Sequence, residues 1–147
     1  MTANKLRTIV SNGVTTHEAL PEKGTILILD DDKFLLDMYA MKFSQIGFRV
    51  HASPSAGEAL KVLREGFSPD IILFDLIMPE GDGFSFLATV KGEHLAPNAS
   101  AIALTNQMDA EEKKRIMDMG AAEYIVKATM IPSEVVAAVE ERLAGKQ

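Results

Sequence analysis

The chain reads as an α/β protein built on a doubly wound sheet of five parallel strands. Three observations lead there. Short apolar runs at 25–29, 71–74, 101–104 and 124–126 lack polar alternation, as strands buried on both faces do. Segments of helical periodicity stand between them, joined by short links, which calls for right-handed crossovers and helices on both faces. Each run also stops on polar residues: Asp30-Asp31-Asp32, Asp75, Thr105 and Lys127. In a parallel sheet those ends share one edge, where open α/β sheets bind ligands.

The elements follow in order. Residues 1–23 are polar, rich in Thr and Asn, and carry Gly13 and Pro21. They are expected to form a flexible or loosely docked arm, in which Ile9-Val10 could add a short strand. The domain proper is expected over 24–147. Residues 25–30 form the first strand. A helix follows over 33–46, with Phe34, Leu35, Met38, Tyr39, Lys42, Phe43 and Ile46 at helical spacing and Gly47 as its stop. The second strand covers 48–52. Ser55 and Glu58 stand at capping-box spacing for a second helix that runs to Gly66.

Pro69 precedes a third strand at 70–75, and Pro79, Gly81 and Gly83 mark a loop at 78–83. A third helix is expected over 84–92 and a fourth strand over 100–105. Asp109 and Glu112 can cap a fourth helix that stops at Gly120. The fifth strand covers 123–127. Pro132 suits the first turn of a last helix that reaches about residue 144. Its stripe of Val135, Val136, Val139 and Leu143 reads as core, with a dimer face as the lesser use.

Composition narrows the chemistry. With 147 residues, 47% of them hydrophobic, the chain is long enough for one domain with a core. It has no cysteine, so disulfides and thiolate metal sites are excluded. A net charge of −6 argues against nucleic acid as a direct ligand. No apolar run nears the ~18 residues of a membrane span, and the amino terminus lacks an export pattern. A cytoplasmic protein is expected. His17, His51 and His94 share no ligand spacing and are read as surface or turn residues.

The strand-end residues carry the functional reading. Asp32 is assigned to capping the next helix. Asp30 and Asp31 point in different directions on an emerging strand, so at least one faces the edge. Mg²⁺ takes oxygen ligands and commonly one or two carboxylates beside phosphate oxygens. Asp75 is the sharper signal, because apolar residues flank it on both sides and no nearby helix needs it as a cap. Carboxylates can be nucleophiles toward phosphorus. Thr105 can reach a phosphoryl oxygen, and Lys127 can neutralise phosphate as a point charge. Three acids against one lysine leave a charge of −2. Such a site holds a divalent cation or raises a carboxyl pKa.

Over about residues 24–144 these residues resemble the receiver domain of two-component response regulators, of the single-domain, chemotaxis-regulator-like kind. Leu29-Asp30-Asp31-Asp32 is similar to its acidic pair, and Asp75-Leu76-Ile77-Met78-Pro79 with Asp82-Gly83 to its phosphoacceptor loop. Leu104-Thr105 is similar to its switch hydroxyl, and Tyr124-Ile125-Val126-Lys127 to its aromatic and lysine. The resemblance implies a flavodoxin-like receiver fold. It implies that Asp75 accepts a phosphoryl group from a histidine kinase or histidine phosphotransfer protein. Asp30, Asp31, Asp75 and the Ile77 carbonyl would organise Mg²⁺, Thr105 and Lys127 would bind the phosphoryl oxygens, and Thr105 with Tyr124 would form the switch.

The chain departs from the family at Ala128, where Pro is usual, and at Asn106, where a small residue is usual. Ile77 and Gln107 occupy positions that in the family it resembles tune hydrolysis of the acyl phosphate. With no output module after residue 144, the expected output is an unknown downstream protein, a phosphate relay or a homodimer, and no enzymatic activity beyond the domain's own phosphorylation and dephosphorylation. Ala128 and Asn106 leave open a degenerate receiver that binds protein without being phosphorylated. A dehalogenase-type phosphatase would use Asp30 and Asp32, but Phe34 stands where that class has Thr or Val, and Asp75 would go unused. A flavin phosphate would be repelled by Asp30–Asp32.

Overall fold

The structure, a computed structural model, describes residues 6–19, 23–79 and 82–145. The apolar runs become the strands of a five-stranded parallel sheet. β3 (Gly24–Leu29), β4 (Phe48–Ser53), β5 (Ile71–Asp75), β6 (Ser100–Thr105) and β7 (Glu123–Val126) lie in the order β4-β3-β5-β6-β7. The helices between them are α1 (Lys33–Gln45), α2 (Ala56–Arg64), α3 (Gly83–Gly92) and α4 (Ala110–Asp118). A 3₁₀ turn (Lys127–Thr129) and α5 (Pro132–Gly145) close the domain. The fold is the doubly wound parallel α/β arrangement that the runs and links predict, with the flavodoxin-like form that the resemblance implies.

The absence of polar alternation has a direct cause. Successive side chains on a strand point to opposite faces. Ile26, Ile28, Leu73 and Ile102 face α1 and α5, packing on Leu36, Tyr39, Phe43, Val135 and Val139. Leu27, Leu29, Phe74 and Ala103 face α2, α3 and α4, packing on Leu63, Phe86, Leu87 and Ile116. Both faces of the central strands are dry, so Ile26–Leu29, Ile71–Phe74 and Ala101–Leu104 are apolar throughout, whereas the edge strand β4 carries Arg49 and His51. Val135, Val136 and Val139 are buried in the first of these clusters, with Leu143 packed on it, so the α5 stripe is core.

The helix starts follow the capping residues. Asp32 accepts the Leu35 amide at 3.2 Å, Ser55 accepts that of Glu58 at 3.3 Å, and Asp109 accepts those of Glu111 and Glu112. Asp82 caps α3 by accepting the Ser85 amide at 2.8 Å. Gly47, with φ of +103°, takes the left-handed conformation that ends α1.

Two details add to the expectations. In α1 the buried face is Leu36, Tyr39 and Phe43, and Phe34 stands exposed. Phe34, Leu35 and Leu36 are consecutive apolar residues, so periodicity alone does not choose the inward face of the first turn. In the arm, β1 (Leu6–Ser11) and β2 (Val14–Ala19) pair antiparallel as a separate two-stranded sheet, from Leu6 opposite Ala19 to Ser11 opposite Val14. Asn12-Gly13, with φ of 51° and 76°, makes the two-residue turn. Asn-Gly is the favoured dipeptide for that geometry because both residues take positive φ. Residues 1–5 and 20–22, the rest of the expected arm up to Lys23, lie outside the described residues, as do Glu80 and Gly81 of the loop after β5.

Candidate functional site

The parallel sheet delivers its strand ends to one edge, and four of the five strands bring a functional group there. Asp30 follows β3 and is fully buried. Both of its oxygens are engaged: Oδ1 accepts the Asp32 amide at 2.9 Å, and Oδ2 accepts from Lys127 Nζ at 3.1 Å. Asp31 is exposed beside it. Asp75 ends β5 and is only 3% exposed. Its Oδ1 lies 3.5 Å from Lys127 Nζ, close enough for an ion pair, yet it has no hydrogen-bond partner. One carboxylate oxygen from each of Asp30, Asp31 and Asp75 falls within 4.8 Å of the others. Lys127 thus bridges Asp30 and Asp75.

This geometry moves the titrations. Burial pushes the Asp75 carboxyl up from its ordinary 3.8 to about 7, with Lys127 opposing and Asp30 and Asp31 adding. Burial works against the Lys127 ammonium, but Asp75 and Asp30 outweigh it and raise its pKa. Of the two outcomes expected for three acids and one lysine, a bound divalent cation or a raised carboxyl pKa, the second has its direction at Asp75, with burial the largest cause.

An open cavity of about 460 Å³ lies over the acids, lined also by Lys127, Ile77 and Asn106. Gly83 packs closely against the backbone of Asp75 and Leu76. The Gly83 amide donates to the Leu76 carbonyl at 2.7 Å, and a Cβ there would stand 2.5 Å from the Asp75 carbonyl oxygen. Any side chain would force α3 off the end of β5. The acid cluster and the orphaned Asp75 oxygen suit a hard divalent cation with oxygen ligands, and Mg²⁺ fits the donor set.

Thr105 ends β6 and is buried, but its hydroxyl donates to the Gln107 carbonyl at 3.3 Å and the residue does not line the cavity. Tyr124 on β7 is half-buried. Its hydroxyl accepts the Asp109 amide at 3.2 Å and stands 3.4 Å from the same Gln107 carbonyl. Asp109 caps α4, so one backbone carbonyl joins the hydroxyls of Thr105 and Tyr124 to the start of that helix. Ala128 sits inside the 3₁₀ turn, where Met130 donates back to the Lys127 carbonyl at 3.4 Å, and no described peptide bond is cis.

Tyr39 is the residue that sequence reasoning passed over. It sits in the α1–α5 core, 2% exposed. Burial raises its phenol pKa, with Lys127 opposing and Asp30 and Asp75 adding, so the site's charges reach it. A polar tip on the apolar stripe of the first helix was the available signal.

The response regulator receiver domain matches residues 26–140. The phosphate regulon transcriptional regulatory protein PhoB of Escherichia coli K12 is 30% identical over 115 residues, covering 78% of this chain and 49% of PhoB. The chain therefore spans about half the length of that relative. An uncharacterized 14.6 kDa protein of Leptolyngbya boryana is 30% identical over 116 residues, 79% of this chain and 87% of that one. The CheY-like receiver domain protein from Methanospirillum hungatei JF-1 superposes with a TM-score of 0.75 at 27% identity, covering 83% of this chain and 94% of that one.

Proposed function

We propose, from the premise that this chain belongs to the response regulator receiver domain family, that Asp75 accepts a phosphoryl group from the phosphohistidine of a histidine kinase or histidine phosphotransfer protein. The observation that carries the reading is the Asp75 oxygen without a hydrogen-bond partner, 3.5 Å from Lys127 and clustered with Asp30 and Asp31. A buried carboxylate oxygen left free beside a cation is costly unless something else uses it.

In the transfer, the Asp75 carboxylate forms the new O–P bond as the P–N bond to the donor imidazole breaks and the imidazole leaves with the electron pair. Lys127 holds Asp75 and Asp30 in place and puts positive charge where the phosphoryl oxygens arrive. Asp30 is pinned by the Asp32 amide and Lys127, so the acids enter the reaction already oriented. Asp30, Asp31, Asp75 and the Ile77 carbonyl would hold Mg²⁺, which when bound offsets the repulsion between phosphoryl oxygens and carboxylates. After transfer, the Thr105 hydroxyl exchanges the Gln107 carbonyl for a phosphoryl oxygen. Tyr124 loses a neighbour at that carbonyl, and the start of α4 is freed to reposition. The differential contact is the Thr105–phosphoryl bond. The reading makes the protein a cytoplasmic signalling switch that acts on a downstream protein or a second copy of itself, without nucleic-acid contact. No helix among the described residues is long and apolar enough to cross a membrane.

Acetyl phosphate with Mg²⁺ is expected to add one hydroxylamine-labile phosphate, read by intact mass, and Asp75→Asn to take up none. Uptake by neither acetyl phosphate nor any phosphohistidine protein would leave a receiver that binds protein without being phosphorylated.

A further inference from the structure

We infer that the cavity beside the carboxyl end of α3 is a second binding site, and that it takes a small organic carboxylate with a compact apolar body. The cavity measures about 210 Å³. It reaches Ile72 and Ala101, each the second residue of its strand, so it lies toward the amino ends of β5 and β6. That is the opposite edge of the sheet from Asp75, and the two cavities share no lining residue. The inference does not depend on the phosphoacceptor reading.

The walls set the body of the ligand. Ile72, Leu87, Val90 and Ala101 line the cavity and are buried, and Leu95 and Ala96 of the loop after α3 line it too. Water gains little from such walls. A cavity of about 150 Å³ lined by aliphatic and aromatic side chains stays dry and takes up benzene. The space here therefore suits a single ring or a chain of about six carbons, and is too small for a nucleotide.

The rim sets the head group. Lys91 and His94 are exposed and line the cavity, and no acidic side chain among the described residues does, although the chain's net charge is −6. Glu93 stands between them in sequence, but Arg64 holds its two oxygens at 2.8 and 2.6 Å and takes up its charge. Lys91 has no ion-pair partner among the described residues. Its stem lies against Gly120, where a Cβ would stand 3.0 Å from Lys91 Cε. A cation near a helix end is favourable in itself. That accounts for Lys91 and leaves His94 and the space between them unexplained.

His94 is the sharper signal. The three other helices between strands end on a left-handed glycine: Gly47, Gly66 and Gly120. The end of α3 has the same hydrogen bonds, with the His94 amide donating to the Lys91 carbonyl at 3.2 Å and the Leu95 amide to that of Val90 at 2.9 Å. Yet the left-handed residue here, at φ of 55°, carries an imidazole. Ala96, two residues on, is left-handed as well, at φ of 44°. Glycine takes this conformation freely and a side chain does not. Strain of this kind gathers where the side chain has a use. An imidazole N–H beside an ammonium suits a carboxylate, which accepts from both.

The test titrates benzoate, benzyl alcohol and benzylamine into the isotope-labelled full chain and follows its amide spectrum. Benzoate is expected to bind with a dissociation constant of about 1 mM or tighter and to shift the amides of Val90, Leu95, Ala96 and Ala101. Benzyl alcohol should bind about fivefold more weakly, and benzylamine more weakly still. His94→Gly should melt no lower than wild type, because glycine suits the position, yet should weaken benzoate about threefold or more. Lys91→Met should weaken it similarly, and the two together about tenfold. Ala101→Ile should abolish binding by filling the cavity.

No shift in wild type at about twenty times the expected constant overturns the site. Equal affinity for the three probes overturns the carboxylate assignment, since it leaves an apolar hole without a preferred head group. Benzoate shifts centred on Asp75 and Lys127 place the anion in the other cavity and overturn the site as well. Undiminished binding in the Lys91→Met, His94→Gly protein does the same for the rim. Should Ala101→Ile fail to fold, His94→Gly decides, because a purely structural role for His94 predicts unchanged affinity.

Discussion

A carboxylate that is buried, flanked by two others and served by a shared lysine is a charged group the fold would rather see neutral. Asp75 shows this in its pKa of about 7 against an ordinary 3.8. The folded state therefore binds a proton more tightly than the unfolded chain. Asp75's contribution to stability is full below about pH 4 and is lost as the pH rises through about 7. Metal-free protein should accordingly lose stability from pH 5 to pH 8 in urea titrations. Asp75→Asn should flatten that slope and stabilise the protein at pH 8 by roughly 1–3 kcal/mol, less than full linkage because ions screen an open cavity. An unchanged slope in the variant would mean that Asp75 is not the group that titrates. Gly83 acts at the same scale: the missing Cβ lets the backbone close behind Asp75, which no other residue type allows without displacing α3.

Among the elements, the segment between β6 and α4 is held by a small set of specific contacts. Thr105 and Tyr124 meet at the Gln107 carbonyl, and Tyr124 also holds the amide of the α4 cap. Tyr124→Phe removes that acceptor and should cost about 1 kcal/mol in urea denaturation. Hydrogen exchange should rise over residues 107–112 and stay unchanged in β3 and β5. Equal protection in both proteins would remove Tyr124 from the coupling. This contact set could not be read from the sequence, because its hub is a backbone carbonyl, which every residue possesses. The strands were legible because both their faces are dry, and Asp75 was legible because a lone acid between apolar residues stands out. The inward face of α1 was not, since Phe34, Leu35 and Leu36 are all apolar and only packing chooses among them. The hairpin was hidden by its Thr-rich polarity, although Asn12-Gly13 between two six-residue segments was a usable turn signal.

For the whole molecule, the proposed cation and the proton compete for one cluster. Mg²⁺ at about ten times its dissociation constant should stabilise the folded state by about 1.4 kcal/mol. In a domain of this size that is a rise of about 3–6 °C in melting temperature. The rise should be largest near pH 8, smaller at pH 5 where Asp75 holds a proton, and reversed by EDTA. A shift of equal size in Asp75→Asn would place the ion elsewhere. The sheet has a consequence of its own. Because alternate residues of each strand feed two separate clusters, Leu27 and Ile28 are neighbours in the chain but pack in different interiors. A volume error on the α1–α5 side has no direct route to the α2–α3–α4 side. The wall between them lets one half be repacked while the other keeps its shape, with the cluster of acids perched on top of the partition and answerable to both.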